Sequence, residues 1–109
     1  PVTVMTAGPI LGNVLEACRD LPVNLVYFHT IKPIDRETVA RFRDTRILVV
    51  HDAFGLYEAV NEVPGLDTSY HGLPDAFYTS YGTVADARKS VGLDPSSIRT
   101  AVETHLSVT

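Results

Sequence analysis

The sequence predicts an α/β protein, a three-layer α/β/α unit on a mainly parallel four-stranded sheet. Three observations predict it. The short continuous apolar runs Leu25–Phe28 and Ile47–Val50 have the length and the β-branched and aromatic content of buried strands rather than of helices. Stretches with apolar residues at helical spacing lie between such runs, so strand and helix alternate along the chain. Strands with no polar face need cover on both sides, which a parallel sheet between helices supplies.

Each element follows in order. Val2 to Thr6 is a β-rich run that stops at Ala7-Gly8-Pro9, and Pro9 suits a first helical turn, where its missing N–H would be unpaired anyway. Ile10, Leu11, Val14, Leu15 and Cys18 then form one apolar stripe at helical spacing. Leu25 to Phe28 reads as a strand covered on both faces. Pro33 keeps Lys32 out of the α region, so no helix starts before residue 34. Asp35 is placed to cap a helix from Arg36 to Phe42 by accepting from the amide of Glu37 or Thr38, with Ile34 and Val39 as a hydrophobic staple and Val39, Ala40 and Phe42 facing inward. After the third strand, Ile47–Val50, a short helix runs from Gly55 to Glu62 and stops at Pro64-Gly65. Asp67 to Gly72 is the fourth strand, and Leu73-Pro74-Asp75 turns away from it. Thr83 opens a short helix that Gly92 ends in a left-handed conformation. The last helix starts with Asp94 as cap and Pro95 in the first turn, staples Leu93 to Ile98, and buries Ile98, Ala101, Val102 and Leu106.

A chain of 109 residues is one domain with room for a single core, residues 1–109. The net charge of −4, with lysines and arginines scattered, offers no electrostatic footprint for nucleic acid or an anionic membrane. No run approaches the roughly 20 apolar residues of a membrane span. A single cysteine excludes an internal disulfide and fits a cytoplasmic setting.

Four stretches in register carry a resemblance to a known family. His29-Thr30-Ile31-Lys32-Pro33-Ile34-Asp35 resembles the R-T-I-K-P-L-D turn in the C-terminal domain of the thiamine diphosphate-dependent transketolase family, which includes deoxyxylulose phosphate synthases and 2-oxo acid dehydrogenase β subunits. Val2 to Gly8 resembles the family's opening strand and glycine, and Arg46 to Asp52 its central strand. Gly72-Leu73-Pro74-Asp75-Ala76-Phe77, followed by Tyr81-Gly82-Thr83, resembles its G-x-P-D-x-F and G-T segment, which leads to Gly92-Leu93-Asp94 and a closing helix. The resemblance covers nearly the whole chain. It implies the transketolase C-terminal domain fold with parallel strands in the order second, first, third, fourth. It also implies a non-catalytic assembly and dimerisation role within a thiamine diphosphate-dependent transferase, a cytoplasmic homo-oligomer whose other domains or subunits hold thiamine diphosphate and magnesium. The family's G-D-G and N diphosphate segment and its aminopyrimidine-facing glutamate are absent from this sequence, so no catalytic, cofactor-binding or metal residue is assigned within it.

Two departures shape the expectations. The family's antiparallel border strand precedes the stretch matching Val2 to Thr6, which would leave Leu25–Phe28 at a bare edge and points to a fragment of a longer polypeptide or a chain that meets that strand in a partner. After the third strand, His51-Asp52-Ala53-Phe54-Gly55-Leu56 replaces the family's acidic pair and glycine turn and leads to a shorter helix.

In an open parallel sheet, ligands lie beyond the carboxyl ends of the strands where their order reverses. The inferred order puts Gly8, His51 and Asp52 there. A free-standing module sensing a small anion or effector is therefore the alternative function, against a plain solvated strand end. His29, His51 and His71 all fall near strand ends, but their spacing matches no metal motif. Cys18 reads as a buried inert thiol, and Lys32 as an exposed lysine within reach of a phosphate.

Overall fold

The computed structural model describes residues 1–53, 55–72 and 92–107. Strands β1 (Val2–Ala7), β2 (Val23–Phe28), β3 (Arg46–His51) and β4 (Asp67–Gly72) form one sheet in the order β2-β1-β3-β4. All three pairings are parallel, with Val2 between Val23 and Arg46, and Thr6 between Tyr27 and Val50. This is the order that the family resemblance implies.

A 3-10 turn, Gly8–Ile10, leads into α1 (Leu11–Ala17), and α2 (Arg36–Arg41), α3 (Leu56–Val60) and α4 (Pro95–Ser107) follow. From β1 the chain steps to β2 on one side and then crosses to β3 on the other. With crossovers of a single hand, that reversal sends α1 and α2 to opposite faces. The core divides accordingly. Val2, Val4, Leu48 and Val50 pack with Ile10, Val14, Ile98 and Val102 under α1 and α4, while Met5, Ala7, Ile47 and Val49 pack with Val39, Leu56, Ala59 and Val60 under α2 and α3. The result is the three-layer α/β/α arrangement.

Local chemistry fixes the helix starts. The Asp35 carboxylate accepts from the Thr38 N–H at 3.1 Å and from the Thr38 hydroxyl at 2.7 Å, and these two bonds hold its carboxyl below the ordinary range. Ile34 and Val39 lie together in one core layer, as a staple requires. At α4, Asp94 accepts from the Ser97 hydroxyl at 2.7 Å and the Ser97 N–H at 3.3 Å, and Leu93 and Ile98 are both buried. Asp94→Ala is expected to cost about 1 kcal/mol, the usual loss of an N-cap, read as a lower urea midpoint at unchanged slope.

Three expectations are corrected. Leu15 does not join the α1 stripe: its residue is 53% exposed, because α1 is short and Ile10, Val14 and Ala17 take the inward face. β2 is two residues longer than its apolar run and is not covered on both faces. Only its residue Phe28 is buried, because among the described residues β2 borders the sheet with a single neighbour, β1. α3 ends at Val60, short of Glu62. The turn at Leu73-Pro74-Asp75 and the helix opening at Thr83 lie outside the described residues, but Gly92 has the positive φ (+78°) expected of it. Among the described residues no helix is long and apolar enough to cross a membrane.

Candidate functional site

The carboxyl ends of β1 and β3 bring Gly8 and His51 together. Gly8 turns the chain out of β1 with φ +78°, and a Cβ on it would stand 3.9 Å from His51 Nε2. β3 runs one residue beyond its apolar stretch, and alternation carries His51 to the face of Ile47 and Val49, the α2 and α3 side. The ring does not stand open at a strand end; His51 is only 4% exposed. Among the described residues its Nδ1 has no hydrogen-bond partner, nor does the Thr6 hydroxyl on the neighbouring strand. Burial pushes the imidazole below its ordinary basicity, against the opposing pull of Asp52 and then Glu58. Asp52 itself is half-buried.

Other histidines have separate tasks. His71 donates from Nε2 to the Gly92 carbonyl at 2.6 Å, which ties the end of β4 to the approach to α4. Asn13 of α1 donates to the next carbonyl, that of Leu93, at 3.0 Å. His29 packs edge-on against Tyr27, with ring centres 4.9 Å apart. Among the described residues no three His, Cys, Asp or Glu side chains are placed to share a metal ion. Cys18 is buried, and burial raises its thiol pKa despite the nearby Arg99, the opposite of what an attacking thiolate needs.

Surface concavities flank this pole. A cleft of about 360 Å³ at the end of β2 is lined by Tyr27, Phe28, His29, Pro33, Ile34 and Asp35. Another, of about 470 Å³, places the exposed Lys32 beside Gly55, Glu58 and Glu62, so its walls are acidic and offer a phosphate little. Neither the burial of His51 nor the lowered basicity of its ring had a signal in the sequence. Each depends on how the Gly8 turn and α3 close over the strand end.

Comparison with known proteins follows the same lines. No protein-family model matches the chain. It is 33% identical over 109 residues to 1-deoxy-D-xylulose-5-phosphate synthase of Thermus thermophilus, a match covering 91% of this chain and 17% of that enzyme. It is 31% identical over 115 residues to the enzyme of the same name from Chromohalobacter salexigens, covering 96% of this chain and 18% of that one. Among solved structures, a split-gene transketolase in the form of an inactive β4 tetramer superposes with a TM-score of 0.81 at 27% identity, over 97% of this chain and 39% of that one. The chain belongs to the transketolase family as a C-terminal domain. Its four parallel strands and two helical layers are that domain's fold. The domain spans less than a fifth of the length of the curated relatives it matches, 17% and 18%.

Proposed function

We propose that this transketolase-type domain, residues 1–109, is a non-catalytic assembly unit of a thiamine diphosphate-dependent transferase. Its partners are the other domains or subunits of that enzyme, a cytoplasmic homo-oligomer in which those partners hold thiamine diphosphate and magnesium. The free border of β2 carries the reading. Val23, Leu25, Val26 and Tyr27 are half-buried there, along a backbone edge that among the described residues is paired on one side only, which suits an added strand or a partner's face. The opposite border, β4, is Asp67-Thr68-Ser69-Tyr70-His71-Gly72, a mostly polar strand with less to gain from cover. Support also comes from the split-gene transketolase chain, which is an inactive tetramer.

The test is a graft. Replacing the matching segment of the Thermus enzyme by this chain is expected to give an oligomeric synthase, and Val26→Lys in the graft is expected to weaken its assembly in sedimentation. The chain alone is expected to show no heat of binding with thiamine diphosphate and magnesium. Stoichiometric binding by the chain alone would falsify the reading. The second reading, a small-anion or effector module at Gly8, His51 and Asp52, is favoured by the unpartnered Nδ1 of His51. It requires a saturable thermal stabilisation by phosphate that disappears in His51→Ala.

A further inference from the structure

A row of polar side chains crosses the amino end of the sheet. Thr3 of β1 is fully buried, and it stands in register between Asn24 of β2 and Ile47 of β3. Its hydroxyl oxygen lies 2.8 Å from that of Thr45, just ahead of β3, and 3.2 Å from Nδ2 of Asn24. The far end of the row sets the direction of every bond in it. Thr45 Oγ1 is 2.6 Å from the Phe42 carbonyl, which can only accept, so the Thr45 proton lies between those two oxygens. Thr45 must therefore accept from Thr3, and Thr3, its one proton committed, must accept from Asn24. The Asn24 amide is thereby held one way round, with Nδ2 turned in. Turned over, it would set Oδ1 against a hydroxyl with no proton left to give. Asn24 is the exposed residue of β2, and among the described residues no group donates to its Oδ1. By alternation it shares the α2 and α3 face with Val26, which packs partly buried in that layer.

We propose that Asn24 selects the strand that covers the β2 border: it admits one with a hydrogen-bond donor side chain beside Asn24 and an apolar residue two positions away, beside Val26. The inference rests on that border being the assembly edge. A strand is the occupant because β2, paired among the described residues with β1 alone, offers its outer N–H and C=O groups at strand spacing. A helix, whose own backbone groups are paired internally, cannot answer them. While the border is bare, an exposed amide oxygen is served by water. A strand laid alongside strips that water, and the amide cannot turn over, so the incoming chain must bring a donor or leave a buried acceptor unpaired. Serine, threonine, asparagine, glutamine, lysine or arginine meets the need; valine, leucine or an ionised carboxylate does not. A second β2 laid antiparallel about Leu25 would set Val26 beside Asn24, so the same requirement disfavours pairing between two copies of this edge.

Short random peptides displayed on phage, selected against the immobilised chain and measured afterwards by isothermal titration, test it, with NMR amide shifts along β2 locating each one. Peptides that shift β2 are expected to share a donor residue at one position and an apolar residue two places from it. They should lose about tenfold in affinity when the donor becomes valine. Against Asn24→Leu, which keeps the size of the side chain, the donor and valine forms should bind alike. Equal binding of the two forms to the unaltered chain overturns the selection by Asn24 and leaves the border reading standing. Failure to select any peptide that shifts β2 overturns both.

Discussion

Leu48→Ala is expected to lower the unfolding free energy by about 2–5 kcal/mol, a large part of the roughly 5–15 kcal/mol that holds a small domain together. Leu48 stands in the middle of β3, paired to Val4 on one side and Ser69 on the other, and is 1% exposed. Its side chain belongs to the layer closed by Val14 of α1 and by Ile98 and Val102 of α4. Truncation removes buried apolar surface and leaves a space that two helices on a parallel sheet cannot collapse to fill, because the strand spacing is set by hydrogen bonds. The matched control is Leu15→Ala, the same deletion on an exposed helix face, where the change should stay within about 0.5 kcal/mol. Urea titrations of both variants, compared at equal slope, decide the matter. Similar losses at the two positions would mean that α1 and α4 do not close that layer.

The pair of leucines also marks what the residues themselves revealed. The alternation of strand and helix, the two helical layers and the caps at Asp35 and Asp94 were legible because each rests on local chemistry, an unbroken apolar run or an acceptor three residues before an amide it can reach, whereas the strand order came from the family resemblance. The facing of Leu15 was not. A stripe of five apolar residues is wider than a two-turn helix can bury, and only the position of α4 decides which of them meets water. The length of β2 was hidden for a similar reason. Asn24 enters the strand because Thr3 stands beside it in register, donating from Nδ2 to the Thr3 hydroxyl at 3.2 Å. Of the candidate site, Gly8 and His51 were placed together by topology alone, since strand order brings the ends of β1 and β3 side by side. The burial of the imidazole was out of reach, because it depends on contacts between residues far apart in sequence.

Gly72→Ala is expected to cost about 1–3 kcal/mol, although it adds a single methyl group. Gly72 ends β4 opposite His51, and a Cβ at this position would run into the His51 carbonyl and the Tyr70 phenol at once. Residues two apart on a strand share a face, so the Tyr70 ring lies along β4 over the space that Gly72 leaves. Tyr57 of α3 packs on that ring at 5.3 Å between centres, which limits how far it can swing. The two clashes separate experimentally. Tyr70→Ala combined with Gly72→Ala relieves the ring contact, so the double variant should lose less than the sum of the single ones, and what remains reports the collision with the His51 carbonyl. A carbonyl in the sheet backbone cannot move without pulling His51 from its place between Gly8 and α3, so the His51 ring signals should shift in Gly72→Ala. Simple additivity in the cycle, with His51 undisturbed, would place the crowding elsewhere. The same geometry explains why the G-x-P-D-x-F stretch opens on glycine: at the meeting of β3 and β4 there is no room for a side chain, whatever the segment after it does.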